Sequence, residues 1–447
     1  MKPLGYLRLI EEFDLPVCKM LWQWHLTEQS RFSATAEGDI SHFALPADAL
    51  KIDDTWQGHL LFAVRKEGIN LEVLKALFAK VDARDIENLV RQDPAEVTRR
   101  RIWFLSEYLT ESRLALPDLA TGDYEPLVVE SKQFACPKNK AKRARRMRIL
   151  NNLLGDRSFS PLVRKALGIW KNPTEELRSL VRDLFMKHPT FLKDRALPRL
   201  YEKEAKSSLA LDRETPDPPR VQTLVDALRS PLEVPVTKET LLDVQNRTDD
   251  SQRTLHDWRT PEVDDIMSGY LRTLNRLLAS DFDLVVLAAV MSFAFAFIRP
   301  LDHGNGRLHR YLLHAILSRL NFKYILSGEF PFALSEMLRK RPTVYDHMLG
   351  SFARRVPQRL KRAVTEDGEV PVCGESLDLC RYIDFTPIVE AFMQLIADSL
   401  QTEWKPELAA ERQKHRELRQ KRRELRRKML RELRRKMLCE LRKPASV

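Results

Sequence analysis

From Arg299 to Leu320 the chain reads RPLDHGNGRLHRYLLHAILSRL, and two glycines one residue apart, Gly304 and Gly306, stand directly before Arg307 and Arg310. Glycines at such a point let successive backbone N–H groups converge without Cβ interference, and the start of a helix adds a positive dipole. Arg307 and Arg310 supply charge and forked donors matched to phosphate oxygens. The chemistry on offer is anion binding, of a phosphate above all. An ordinary glycine turn joining two helices is the competing reading, and the flanking elements weigh against it.

Those elements are both helical. After the glycines, Leu308, Tyr311, Leu312, Ala315, Ile316 and Leu320 fall on one face, so Gly304-Asn305-Gly306 opens an amphipathic helix. Before them runs LVVLAAVMSFAFAFI, fifteen uncharged residues from Leu284 to Ile298, closed by Asp283 and Arg299. That is shorter than the roughly 20 residues a bilayer requires and reads as a buried helix. The same period continues over 241–401, except in the polar stretch 247–258, RTDDSQRTLHDW, which reads as a loop or short hairpin. Proline-rich breaks at 215–220 and 230–235 bracket a helical VQTLVDALR. Nearer the start, Asn70 is placed to cap LEVLKALF, and RRIWFLSEYL is similar, so the first 150 or so residues are expected to be mainly helical.

The stretch around the glycines resembles the signature of the Fic (Fido) family, HPFx(D/E)GNGRxxR after a buried FxxI helix. Phe295, Ile298, Pro300, Gly304, Asn305, Gly306, Arg307 and Arg310 match it in place. Upstream, KSSLALDRE at 206–214 looks like the family's inhibitory helix, (S/T)xxxE(G/N), with Ser208, Asp212 and Arg213 at its defining places. GHLLFAVRKEGINLEVLKALF and LCRYIDFTP also look like a bacterial subgroup, so the resemblance spans most of residues 1–400. It implies a mainly α fold: a helical N-terminal domain (1–155), an inhibitory-type helix region (195–230), a Fic helical bundle core with a short β-hairpin flap (231–402) and, outside the resemblance, a basic helical tail (403–447).

It also implies an activity, transfer of AMP from ATP with Mg²⁺ to a Ser, Thr or Tyr hydroxyl of a protein target. A neutral histidine takes the hydroxyl's proton and a carboxylate holds the metal against the phosphates. Both places differ here. Arg299 stands at the histidine position and stays protonated, so it cannot serve as the base. His303 stands at the acidic position, a borderline nitrogen ligand poorly suited to Mg²⁺, with Asp302 one residue before it. Loss of a general base alone costs about 10² to 10⁴ in rate. Asp212 is one methylene shorter than the family's inhibitory glutamate, which puts its reach to Arg310 in question. Three readings follow: an impaired Fic protein that keeps nucleotide-phosphate binding, a transferase using Asp302 or His303 as base or a different donor, and a non-enzymatic module.

Charge bears on the third. The 447 residues carry a net +12, yet 17 basic and 6 acidic residues lie between Lys405 and Lys443, so the body is almost neutral. RELRRKML repeats at 423–430 and 431–438; an eight-residue step turns successive leucines by about 80° and builds no straight seam. The tail is expected to be a solvated basic helix, with weak nucleic-acid contact as its partner chemistry; no aromatic follows Trp404 to stack on bases. A second basic cluster, KNKAKRARRMR at 138–148, reads as an exposed connector. Five scattered cysteines without CxxC spacing indicate neither a disulfide framework nor zinc. The first residues show no secretory pattern, so a cytoplasmic, membrane-free protein is expected. His303, His309 and His314 do not share one helical face and are not read as metal ligands.

Overall fold

The computed structural model describes residues 1–28, 31–48, 52–165, 172–186, 188–249, 257–320, 330–357 and 377–441, and helices dominate. At the centre lies the helix Leu284–Ile298, thirteen of whose fifteen residues are buried, so that no face is left for solvent. Asp283 starts it by accepting from the N–H groups of Val285 and Val286 at 3.0 Å each, satisfying two of the orphan donors of a helix start. The same carboxylate takes the Thr174 N–H at 2.9 Å and so ties the neighbouring helix Pro173–Phe185 to this cap. Phe297 stacks on Phe352 and Phe385, with ring centroids 5.6 and 5.8 Å away.

The helix that follows the glycines, Asn305–Leu317, packs along the central one. It is not amphipathic in the expected sense, because twelve of its thirteen residues are buried. Two of its polar side chains, Arg310 and His314, face another element, the long helix Thr190–Leu211, instead of water. His314 Nε2 lies 2.9 Å from the buried Glu204 carboxylate. His309 sits in an aromatic slot, its ring 4.5 Å from that of Phe293. Burial, with Arg310 adjacent, lowers its pKa to about 3, so it is a neutral core residue.

The N-terminal region is mainly helical, as expected, with five α-helices among the described residues between Tyr6 and Thr110. Asn70 does cap Leu71–Phe78, accepting from Val73 N–H at 3.2 Å, and RRIWFLSEYL lies within the helix Val97–Thr110. The same region also holds two small sheets. The first has the order β1-β2-β4-β3, formed by Lys2–Leu4 (β1), Trp22–Thr27 (β2), Ser33–Glu37 (β3) and Ile40–Pro46 (β4), with β2 and β4 parallel. Glu37 pairs with Ile40, which leaves the two-residue loop Gly38-Asp39, a hairpin signal legible in TAEGDIS. The second joins Glu125–Pro126 (β5), Lys142–Ala144 (β6) and Ile149–Asn151 (β7) in the order β5-β7-β6. The cluster at 138–148 is therefore part of a hairpin, not simply an exposed connector. Arg146 is mostly buried against Glu107 at 3.0 Å, and Arg143 and Arg148 lie over the Tyr124 ring.

Arg247 and Thr248 end the helix Lys238–Thr248, so the expected loop begins later than the sequence suggests. The rest of the expected hairpin falls largely on 250–256, outside the described residues. Among the described residues no helix is long and apolar enough to cross a membrane. The tail helix Lys405–Leu441 is anchored at its base, where buried Trp404 donates to the Pro331 carbonyl at 2.7 Å and Glu411 pairs with Arg199. From Arg412 to Met429 every residue is exposed except the half-buried His415, and Leu418 and Leu425 lie open to water.

Glu67 is a costly feature of the N-terminal core. One oxygen accepts the Tyr6 N–H at 2.8 Å, while the other has no hydrogen-bond partner. Burial pushes its pKa up to about 8, against the smaller pulls of the Tyr6 N–H and Arg164. The folded protein holds this proton where the unfolded chain, with an ordinary carboxyl, releases it. Stability is therefore expected to fall between roughly pH 5 and 8, by a few kcal/mol. Glu67→Gln should flatten that slope in urea denaturation followed across pH; an unchanged slope would show the carboxyl to be ionised in the fold.

Candidate functional site

The site begins where the central helix ends. Arg299 closes it in the left-handed conformation, φ 49° and ψ 59°, with its N–H on the Phe295 carbonyl at 3.0 Å. The chain then turns through Leu301, and Asn305 holds the turn shut: its side-chain amide donates to the Leu301 carbonyl at 2.6 Å and accepts the Leu301 N–H at 3.0 Å. Asn305 is thus spent on shaping the loop. Gly304 precedes the helix with φ +77°, and a Cβ there would lie 1.8 Å from Gln245 Nε2, so conformation and space both require glycine. Gly306 contributes in another way. A Cβ there would meet Arg310 Nη1 and Asp212 Oδ1, each at 3.1 Å, so its absence lets that pair lie close over the helix start.

The second wall is the end of the helix Thr190–Leu211. Its last turn is a Schellman motif: Arg213 N–H bonds the Ala210 carbonyl and Glu214 N–H the Leu209 carbonyl, both at 3.1 Å, while Arg213 adopts φ +61°. The motif explains why glycine or asparagine suits that place, and it throws Asp212 and Glu214 to either side of the exposed Arg213.

Both carboxylates land on the arginines. Arg310 Nη2 donates to Asp212 Oδ1 at 2.7 Å and to the Ser208 carbonyl at 2.9 Å, while its Nε donates to Ser208 Oγ at 2.8 Å. Asp212 therefore does reach Arg310. The missing methylene is made up by the helix terminus, which brings the backbone close across Gly306. Burial disfavours the Arg310 charge, but Asp212 and Tyr345 more than offset it, so the guanidinium holds its proton more tightly than usual. Arg307 donates to Glu214, and to the Thr248 carbonyl at 2.6 Å, with Asp212 and Asp249 oxygens at 3.5 and 3.6 Å. Arg220 binds the other Glu214 oxygen. His303 Nε2 lies 2.7 Å from Asp249 Oδ2.

The structure so brings Gly304, Asn305, Gly306, Arg307, Arg310, Ser208, Asp212 and His303 into one neighbourhood. Arg213 sits at its rim and Asp302 is exposed. Glu214, Asp249 and Gln245 were missed by the sequence reading. Glu214 follows directly from the position of Asp212, two residues on across a left-handed turn, whereas Asp249 carries no local signal. The donor set does not fit a hard divalent ion, since His303 and Asp249 engage each other and no grouping of three or more His, Cys, Asp or Glu side chains suited to a metal occurs among the described residues.

No family model matches the chain, and no curated protein does. Among solved structures it is similar to a Fic family protein from Desulfovibrio desulfuricans G20, at 16% identity and a TM-score of 0.36, over 52% of this chain and 74% of that one. A superposition that loose carries no argument about fold or function, so the functional reading rests on the site itself.

Arg213 provides a direct check on this geometry. A non-glycine residue in the left-handed region costs about 1 kcal/mol, so Arg213→Gly should stabilise the chain by roughly that amount in chemical denaturation. A loss of stability would place the residue outside the Schellman position.

Proposed function

We propose that this chain is a Fic-type nucleotide-binding protein whose phosphate site is closed by its own carboxylates and whose nucleotidyl transfer is lost or feeble. The observation that carries the reading is the occupation of both signature arginines, Arg310 by Asp212 and Ser208 and Arg307 by Glu214. Carboxylate oxygens stand there at the distances phosphate oxygens would take, at the start of a helix whose dipole favours an anion. ATP bound at this site would have to displace Asp212 and Glu214. Charge repulsion opposes their coexistence with a triphosphate, so the closed arrangement lowers affinity by whatever it takes to open it.

The transfer step is weak for a separate reason. The residue at the end of the central helix is Arg299, a cation with no lone pair for a hydroxyl proton. The nearby nitrogen base, His303, is engaged by Asp249. Mg²⁺ and a protein target belong to the family resemblance, and the residues at the acidic position offer the metal a poor anchor. The chain's own contribution is thus to bind and orient an anion, gated by the end of the helix Thr190–Leu211.

Titration calorimetry with ATP on the intact chain and on the Asp212→Ala/Glu214→Ala variant tests the gate. Freed arginines should bind ATP at least tenfold more tightly. Equal affinities, or no binding to either up to millimolar ATP, would overturn the reading. With α-labelled ATP and cell extract, neither form should label protein, while adding Arg299→His and His303→Asp to the open variant should restore label. Robust labelling by the unaltered chain would show it to be an active transferase.

A further inference from the structure

A second cleft shares no residue with the anion site. It has a volume of about 620 Å³ and is walled by the helix Val97–Thr110, the β6-β7 hairpin, the loop 155–158 and the helix Pro261–Leu278. That size is typical of a pocket for one small molecule, which falls at about 300 to 1,000 Å³. Five basic side chains line it, Lys142, Arg146, Arg157, Arg272 and Arg276, against the carboxylates of Glu107 and Asp156. The chain's body is nearly neutral, so this local excess is not a reflection of overall charge.

The five cations divide by what they already hold. Arg146 is committed to Glu107 and Asp118 and to the Trp103 ring, 5.0 Å away. Arg276 donates through Nη2 to the Leu153 and Gly155 carbonyls at 2.6 and 3.3 Å, and its buried Nε has no hydrogen-bond partner. These two build the frame and leave one unmet donor in the wall. Arg157 and Arg272 are half exposed and each holds one carboxylate, Glu111 at 3.1 Å and Asp156 at 2.7 Å, with further N–H groups to spare. Lys142 is exposed and makes no ion pair among the described residues. Strand alternation puts Lys142 and Ala144 on the cleft face, while Arg143 between them turns to Tyr124.

The remaining wall is aromatic. Phe104 and Tyr108 stack with centroids 5.2 Å apart and planes 20° apart, and the Arg157 guanidinium lies 5.8 Å over the Tyr108 ring. Burial first, and then Asp156, push the Tyr108 phenol up to about 12, so it stays a hydrogen-bond donor at neutral pH.

We infer that this cleft binds a phosphorylated small molecule bearing a flat ring, such as a 5′-mononucleotide. A cationic rim of Lys142, Arg157 and Arg272 receives the phosphate, and the Phe104–Tyr108 face and Arg157 receive the ring. The inference does not depend on the proposed function, since the two sites share no residue.

Calorimetric titration of the full chain with AMP, adenosine and inorganic phosphate, joined to hydrogen-exchange mapping with AMP, tests it. AMP should bind at least tenfold more tightly than either fragment and slow exchange in 142–158 and 268–276. Lys142→Glu, an exposed position, should weaken AMP at least tenfold, and Lys142→Arg should keep it within threefold. Affinity for AMP no better than for phosphate, indifference to Lys142→Glu, or protection confined to 299–310 would overturn the assignment. The last of these would place AMP at Arg307 and Arg310 instead, and none of them replaces the ATP titration that tests that site.

Discussion

Two buried guanidiniums cannot be left uncompensated, and much of the geometry around the site answers that constraint. Arg307 and Arg310 follow a glycine-bounded turn on a helix that is buried almost all round. An unpaired charge so placed costs several kcal/mol, and removal of one partner of a buried pair typically costs about 3 to 5. The compensating oxygens come from three directions: Ser208 and Asp212 on the neighbouring helix end, Glu214 beyond its turn, and Thr248 and Asp249 at the end of Lys238–Thr248. Two buried cations that would otherwise draw an external anion are satisfied from within the chain.

That arrangement depends on backbone features that no charge pattern reveals. Asn305 fixes the turn by pairing with Leu301, Gly304 admits Gln245, and Gly306 gives the Asp212–Arg310 pair its room. On the facing side the Schellman end of Thr190–Leu211 sets where the acids point, at the expense of an arginine in a left-handed conformation. On the proposed reading, weakness in catalysis has a different origin, the chemistry of Arg299 and His303, so closure and loss of transfer would be separable properties of one site.

Local rules carried the sequence reading far. The central helix with its Asp283 and Arg299 bounds, the Asn70 cap and the helix opened by Gly304 all follow from spacing and capping chemistry. What it left out was non-local. The strands Trp22–Thr27 and Ile40–Pro46 are short, mixed in polarity and paired in parallel across intervening chain, so nothing in either segment announces its partner. The polar face of Asn305–Leu317 read as solvent-facing because its covering helix lies about a hundred residues away in sequence. Doubt over the reach of Asp212 came from counting methylenes while the backbone approach across Gly306 was invisible.

Asp212 and Arg310, closed on each other at 2.7 Å, should be energetically coupled. A double-mutant cycle in urea denaturation, with Asp212→Ala, Arg310→Gln and both together, measures that coupling directly. An interaction of about 2 kcal/mol is expected, the two changes together costing less than their sum. Additivity to within about 0.5 kcal/mol would contradict it, showing that the carboxylate does not hold the arginine in solution.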